Sequence, residues 1–236
     1  MLGTIYTVYE SMLEQTHLLV AGATGSGKSV VINGIIHNGL YSNPDHFQLI
    51  LVDPKRVELS MCRNLPHTVA YASEPAEMVQ ALNLAMKITE KRYTEMQAAG
   101  VRKYSGSHLY VIIDELADLM TTNKKQVQPL IQRLCQIGRA ANVHVIAATQ
   151  CPLAAVIPTP IKVNFDSRVA LRTRSAQDSR NILETTGCEK LPRYGKAYFM
   201  TPDGTELYDI PMYTDDEHKE LLDYWFAQVK AQTAAA

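Results

Sequence analysis

The sequence predicts an α/β protein with a mostly parallel central sheet flanked by helices. Short apolar stretches alternate with longer amphipathic ones along the 236 residues, a pattern typical of strands separated by helices. One apolar stretch, 47–53, is continuous rather than alternating, as in parallel strands covered on both faces. A glycine-rich segment at 22–29 joins the first apolar stretch to the first helical pattern. Together these observations indicate one layered domain.

The elements follow one another in a regular order. Strands are predicted at 17–22, 47–53, 109–115, 143–150, 166–172 and 196–201. Helices are predicted at 28–41, 75–99, 124–141, 175–187 and 215–232. The helix 75–99 has the clearest limits, because Glu74-Pro75 suits a helix start and Gly100 a helix end.

Length and composition favour a single folded domain. Hydrophobic residues make up 46% and charged residues 20%, which argues against a disordered chain. We expect residues 16–236 to form the domain and residues 1–15 to be the end of a preceding segment. No apolar run reaches the roughly 18 residues that a bilayer span needs, and no signal peptide is present, so the expected location is cytoplasmic.

Charge and cysteine spacing exclude some kinds of site. The four cysteines lie far apart with no CxxC pair, which argues against a metal cluster. A formal net charge of −1 argues against a surface that coats nucleic acid by bulk attraction. However, the range 162–196 holds eight basic residues against four acidic ones. Two interpretations stay open, ordinary solvated faces or a basic strip that faces phosphate.

A phosphate-binding loop lies between the first predicted strand and helix. The motif GxxxxGK[ST] is complete in Gly22, Ala23, Thr24, Gly25, Ser26, Gly27, Lys28 and Ser29. Its glycines let backbone N–H groups converge on a β-phosphate at a helix N-terminus. We expect Lys28 to reach the β- and γ-phosphates and the Ser29 hydroxyl to hold Mg²⁺.

Polar residues follow two further predicted strands. Asp114 and Glu115 end the stretch "LYVIIDE", where Asp114 could bind the shell of Mg²⁺ and Glu115 could take a proton from an attacking water. Taken alone, this acid pair could also cap a helix. Thr149 and Gln150 end "VIAATQ", where the Gln150 amide could sit beside the γ-phosphate as a sensor or could simply cap the end of the strand. A water-activating acid favours a nucleotide-hydrolysing machine over a small-molecule kinase.

These motifs occur in an order that resembles the motor domain of the FtsK/SpoIIIE DNA translocases. The resemblance covers nearly the whole chain, and it includes the segments "LILVDPKRVELS" (49–60), "VIIDELADLM" (111–120), "GRAANVHVIAATQ" (138–150) and "IKVNFDSRVALRTRSAQDSRNILETTGCEKL" (161–191). The segment with Asp-Pro-Lys and the segment 138–150 are the most specific, since general P-loop proteins lack them. The resemblance implies a RecA-like P-loop fold and ATP with Mg²⁺ as ligands.

The family's residue roles carry over onto matching positions. Lys28, Ser29, Asp114, Glu115 and Gln150 take the roles given above. An arginine that completes a neighbouring subunit's site in trans would fall on Arg180, with Arg168 as a second candidate.

The resemblance also implies partners. Double-stranded DNA would pass through a homo-oligomeric ring, hexameric at full length, with a monomer of this piece alone left open. A membrane would be reached only through segments outside this sequence. The candidate DNA-contacting loop is 101–107, with Arg102, Lys103 and Tyr104, although a plain solvated turn is an equal alternative.

Two departures from the family pattern bear on function. The usual Gln-Arg-Pro is Gln150-Cys151-Pro152 here, and the stretch between Gly100 and the Asp114 strand is short.

The function that the motifs and the resemblance imply is that of an ATP-driven double-stranded DNA translocase, in chromosome segregation or in conjugative transfer of a mobile element. The alternatives are a related secretion ATPase that moves proteins, of the type VII kind, and an adaptor that binds ATP but barely hydrolyses it.

Overall fold

The computed structural model describes residues 2–153 and 155–234. The strands in these residues are β1 His17–Ala21, β2 Phe47–Val52, β3 Thr68–Ala72, β4 His108–Ile113, β5 Val143–Thr149, β6 Ser167–Ala170, β7 Lys196–Thr201 and β8 Gly204–Asp209. The α-helices are α1 Leu2–Leu13, α2 Lys28–Gly39, α3 Pro75–Ala99, α4 Leu116–Thr122, α5 Lys124–Ile137, α6 Thr159–Lys162, α7 Ala176–Leu183 and α8 Asp215–Ala234. Three short 3₁₀ turns lie at Ser60–Cys62, Gly138–Ala141 and Cys188–Lys190.

All eight strands belong to one sheet in the order β3-β2-β4-β5-β1-β6-β7-β8. The first six in this order pair in parallel, and β7 and β8 add to the β6 edge in antiparallel fashion. The prediction of an α/β fold with a mostly parallel sheet is therefore confirmed. Because β1, β4 and β5 are parallel neighbours, the segments that follow them emerge at the same edge of the sheet.

Helices cover both faces of this sheet. Leu18 and Val20 of β1 pack with side chains of α1, α2 and α8, whereas Leu19, between them, packs on the face that carries α3, α4 and α5. Successive side chains of a strand point to opposite faces, so both must be apolar when both faces are covered. This double burial explains why the central strands are continuous apolar stretches.

The described residues contain five helices and strands that the sequence pattern did not predict, namely α1, β3, α4, α6 and β8. Strand β8 is largely exposed and polar, and β3 at the other edge is only partly buried, so neither has an apolar signal. Helices α4 and α6 have seven and four residues, too short for a periodic pattern. Strand β4 ends at Ile113, so Asp114 and Glu115 lie beyond it and Glu115 caps α4.

The four cysteines differ in burial. Cys62, Cys135 and Cys188 are buried, Cys151 is partly exposed, and all four are free thiols.

Within the described ranges, no helix combines the length and the apolar character needed to cross a membrane.

Helix α1 packs closely on the domain. Tyr9 and Met12 lie in the core on the α2 face, and the Tyr9 hydroxyl donates to the carbonyl of Pro211 at 2.5 Å. A β-carbon at Gly34 of α2 would lie 2.0 Å from the Tyr9 ring, so only glycine permits this approach. The boundary between residues 15 and 16 stays a prediction, but residues 8–13 contribute to the same core as the sheet.

We expect Tyr9→Ala to lower the free energy of unfolding by about 3–5 kcal/mol, because it removes a fully buried aromatic side chain. The neighbouring exposed Glu10 is a matched control, and Glu10→Ala should stay within about 0.5 kcal/mol of wild type. Urea unfolding followed by circular dichroism measures both. Equal effects of the two changes would show that α1 does not belong to the domain.

Three histidines lie at the sheet edge where β1, β4 and β5 begin, with His17 and His144 buried and His108 half-buried. His108 Nδ1 lies 2.9 Å from His144 Nε2, and His144 Nδ1 lies 3.0 Å from the carbonyl of Thr16. His17 accepts from the backbone N–H of Val145 at 3.0 Å. Burial lowers the pKa of His17 and of His144 to about 4, and repulsion between the two rings adds to the effect on His17; the neighbouring His108 adds to the effect on His144.

These lowered pKa values predict a loss of stability in acid. Between pH 6.5 and about 4, these histidines are protonated in the unfolded chain but stay neutral in the folded one. The free energy of unfolding therefore falls as the pH falls. Each such histidine contributes a slope of about 1.4 kcal/mol per pH unit in this window. Urea unfolding between pH 6.5 and 5 should therefore give a flatter pH dependence for His144→Gln than for wild type. Parallel curves would contradict this assignment.

Candidate active site

The glycine-rich segment 22–29 forms the connection between β1 and α2, as predicted. Gly27 caps α2 with a φ of 98°, a backbone conformation that strongly favours glycine, and Lys28 is the first residue of the helix. Buried strand residues precede the loop, and α2 is held by the core residues Val31, Ile32 and Ile35. The loop is therefore fixed at both ends, with the N-terminus of α2 behind it as an anion-binding element.

Lys28 lies against the two acids predicted to act with it. Its ammonium is 3.1 Å from Asp114 Oδ1, donates to the Asp114 carbonyl at 2.5 Å and is 3.9 Å from Glu115 Oε2. All three side chains are at most 5% exposed. The structure thus brings together the P-loop lysine and the acid pair, which stand 86 residues apart in the sequence.

Asp114 has the properties of a cation ligand. The pKa of its carboxyl group is raised, because the effect of burial exceeds the opposite effect of the adjacent Lys28 ammonium. No donor among the described residues reaches its buried Oδ2 atom. A carboxylate oxygen without a donor suits a hard divalent ion such as Mg²⁺. No group of three His, Cys, Asp or Glu residues in the described chain could hold a metal alone, so such an ion would take further ligands from Ser29, water and phosphate.

Glu115 is held from both neighbouring strands. On the β5 side, its Oε1 accepts from the Thr149 hydroxyl at 2.7 Å and from the Gln150 backbone N–H at 3.2 Å. On the β2 side, its Oε2 lies 3.3 Å from the ammonium of Lys55. Its carboxylate is therefore oriented by a hydroxyl, an amide and an ammonium. The sequence pattern singled out Thr149 and Gln150 but not Lys55, and it predicted none of their contacts with Glu115.

Gln150 reaches the phosphate-binding loop directly. Its Oε1 accepts from the Thr24 hydroxyl at 2.8 Å, so the amide stands beside the loop, where a sensor of the γ-phosphate would have to be. Cys151, which stands where the family usually has an arginine, is partly exposed beside Gln150. Its backbone N–H donates to Thr149 Oγ1 at 3.1 Å.

Two arginines of the basic range 162–196 also approach the loop. Arg174 comes within 3.5 Å of the Thr24 hydroxyl, and Arg193 Nε within 3.4 Å of the Gly25 carbonyl. Both side chains belong to exposed residues, so they can reorient toward a bound anion. Arg193 had no local signal, because the contact spans 168 positions of sequence. Part of the basic range therefore faces the phosphate-binding loop, and part lies elsewhere.

The two candidates for an arginine acting in trans have different surroundings. Arg168 is 6% exposed and donates to the carbonyls of Phe165 and Ile182 and to Glu184. This placement gives no support to a trans role for Arg168, because its guanidinium is occupied inside its own chain. Arg180 lies exposed in the last turn of α7, and its side chain is accessible to a neighbour.

The candidate DNA-contacting loop 101–107 lies at the opposite sheet edge, since it leads into the start of β4 while Glu115 follows its end. Arg102 and Lys103 are exposed, whereas the Tyr104 ring lies under the Arg92 guanidinium at 4.6 Å. Arg102, Lys103 and Arg139 line a cavity of about 540 Å³ at this edge. The structure therefore separates the candidate DNA contacts from the nucleotide site by the length of β4.

Comparison with known proteins identifies relatives of this chain. The model of the FtsK/SpoIIIE family matches residues 3–108 and 105–154. The DNA translocase FtsK of Helicobacter pylori strain 26695 is 38% identical over 233 residues, which cover 92% of this chain and 27% of the relative. The DNA translocase SpoIIIE of Bacillus subtilis strain 168 is 37% identical over 248 residues, 95% of this chain and 32% of the relative. The chain spans about a third or less of the length of these relatives.

Solved structures share the fold. The pCW3 conjugation coupling protein TcpA, in its monomer form with ATPgS, superposes with a TM-score of 0.77 at 23% identity, over 90% of this chain and 66% of that one. The cytoplasmic domain of the type VII secretion ATPase EccC of Thermomonospora curvata gives 0.72 at 20% identity, over 85% and 26%. The RecA-like P-loop fold is therefore confirmed. Because the family model matches more than half of the residues, the chain belongs to the FtsK/SpoIIIE family.

Proposed function

We propose that the chain is an ATP-hydrolysing motor domain that moves double-stranded DNA, in chromosome segregation or in conjugative transfer of a mobile element. The observation that carries this proposal is the oriented Glu115 carboxylate beside Asp114 and Lys28. A loop that only bound nucleotide would not need a second buried acid with three fixed contacts. The proposal of DNA as substrate rests on the relatives, which are named DNA translocases.

The chemistry assigned to this site is the in-line attack of water on the γ-phosphate. A bond forms between the water oxygen and phosphorus, the bond to the β–γ bridging oxygen breaks, and ADP leaves with that electron pair. Glu115 accepts the proton of the water. Lys28 and the loop N–H groups stabilise the charge on the phosphate oxygens, and Mg²⁺ held by Asp114 and Ser29 would add a Lewis acid.

The same proposal extends to assembly and location. Arg180 would complete the site of a neighbouring subunit in a hexameric ring of the full-length protein, and Gln150 would report the presence of the γ-phosphate. DNA would contact the opposite edge of the sheet through Arg102, Lys103 and Tyr104, with Arg139 beside them. We place the domain in the cytoplasm, with any membrane contact made by other segments of the full protein.

A secretion ATPase that moves proteins is the second candidate, because the EccC fold is also similar. The two candidates differ in what stimulates hydrolysis. In a DNA motor, duplex DNA raises the ATP turnover of the full-length protein, whereas in a secretion ATPase a bound peptide does so. An adaptor that barely hydrolyses ATP would show little turnover with either.

We predict that Lys28→Ala lowers the ATP turnover of the full-length protein by at least about a hundredfold, since it removes the charge that stabilises the transferred phosphate. Lys28→Met keeps the apolar stem and should behave alike, while Lys87→Ala, an exposed lysine of α3, is the control. Released phosphate measures turnover, and circular dichroism verifies folding. Wild-type turnover in a folded Lys28 variant would exclude this site as the hydrolytic one.

We predict that Arg102→Ala with Lys103→Ala weakens duplex DNA binding and reduces the salt dependence of binding, with a change in slope of about 2. The matched control, Lys124→Ala with Lys125→Ala, removes the same charge from exposed residues at the start of α5. Fluorescence anisotropy of labelled duplex at several salt concentrations measures both. If the two double variants bind alike, loop 101–107 is only a solvated turn.

A further inference from the structure

Lys55, in the turn after β2, contacts the acid assigned to proton transfer. We propose that Lys55 is a positioning residue, which fixes the orientation and charge of Glu115 for water activation. This inference rests on the proposed function and deepens it. Lys55 belongs to the Asp-Pro-Lys segment, to which the sequence pattern assigned no role.

The turn that carries Lys55 is rigidly anchored. The fully buried carboxylate of Asp53 accepts from the Leu59 backbone N–H at 3.1 Å and from the Tyr71 hydroxyl at 3.2 Å. The turn closes with a hydrogen bond from the Arg56 backbone N–H to the Asp53 carbonyl at 3.1 Å. Strand β2 ends level with β4, because Val52 pairs with Ile113. These contacts place the Lys55 backbone beside the end of β4, within reach of Glu115.

On the β2 side, Glu115 is contacted by Lys55. From the β5 side, Thr149 and Gln150 bind Oε1, and the Gln150 N–H also lies 3.3 Å from Oε2. From the β2 side, the Lys55 ammonium lies 3.3 Å from Oε2. The carboxylate is thus clamped between two strands that flank β4. A proton acceptor needs this kind of fixed geometry, because misplacement by an ångström reduces the rate strongly.

The charge balance of the site also requires a second cation. In the present structure, Lys28 lies 3.1 Å from Asp114 and 3.9 Å from Glu115 and offsets charge on both. Once Lys28 turns to a bound phosphate, Glu115 would be a buried anion next to another anion, which is costly without a partner. Lys55 stays beside Glu115 in this step. Its side chain is 41% exposed, so it can keep its contact with solvent while it does so.

Asp114 adds a second negative charge next to Glu115, and Glu58 and Asp53 act on Asp114 with charge of the same sign. The described contacts of Glu115 with cations are those with Lys28 and Lys55. Because Lys28 binds the phosphates of the nucleotide, Lys55 is the cation that stays in contact with Glu115 throughout the ATPase cycle. During hydrolysis the proton passes from water to Glu115, and Lys55 neither gains nor loses one.

Steady-state kinetics of full-length variants test the inference. Lys55→Ala should lower kcat about tenfold or more, while the KM for ATP and the affinity for ATPγS change by less than about twofold. Lys55→Arg should restore most of the loss, since it returns a cation. Arg56→Ala is the matched control, because Arg56 lies in the same turn and pairs instead with Glu74. Wild-type kcat for Lys55→Ala would reduce the contact to an ordinary surface ion pair and overturn the proposal.

The Glu115→Gln background separates positioning from direct phosphate binding. If Lys55 acts through Glu115, adding Lys55→Ala to Glu115→Gln leaves ATPγS affinity unchanged. An equal loss of affinity in both backgrounds would make Lys55 a phosphate ligand and overturn the proposal.

A spectroscopic measurement keeps this result separate from the proposed function. If wild type fails to hydrolyse ATP with or without DNA, the proposed function fails. The ¹³C resonance of the Glu115 carboxyl group, assigned as the one missing in Glu115→Gln, still reports the pair. A shift in Lys55→Ala relative to wild type and Arg56→Ala supports the contact, and an unchanged resonance refutes it.

Discussion

Asp114 and Glu115 place two adjacent negative charges almost out of solvent at the end of β4, and the site is organised around them. A buried carboxylate costs several kcal/mol unless cations and donors compensate for it. Here Lys28 and Lys55 supply the cations, and Thr149 with Gln150 supplies the donors. The two acids and these partners come from four separate segments, so the site exists only when the parallel strands end at one level.

The parallel sheet also gives the domain two chemically different ends. One end holds the acids and the phosphate-binding loop, and the other holds the exposed cations Arg102 and Lys103 beside buried histidines. Strand β4 joins the two, since the basic loop 101–107 precedes it and Glu115 follows it. Its six residues span about 20 Å.

Local sequence patterns were enough to predict six of the strands, five of the helices and the glycine-rich loop between β1 and α2, because each has its own signal. Continuous apolar stretches mark strands buried on both faces, and the glycine-rich loop has a fixed spacing. The exposed β8 and the short α4 lack such signals. Lys55 and Arg193 were missed because their contacts join positions 60 and 168 residues apart. The burial of Arg168 depends likewise on carbonyls from other segments, such as that of Ile182.

We propose that Asp114 would release Lys28 and hold a magnesium ion when nucleotide binds. The most direct test is the affinity for ATPγS of wild type and Asp114→Asn, each measured by isothermal titration calorimetry with Mg²⁺ and with EDTA. We predict that Mg²⁺ tightens binding to wild type and has much less effect on Asp114→Asn, because the buried oxygen that would face the ion no longer carries charge. An equal gain in ATPγS affinity from Mg²⁺ in both proteins would show that Asp114 does not hold the ion.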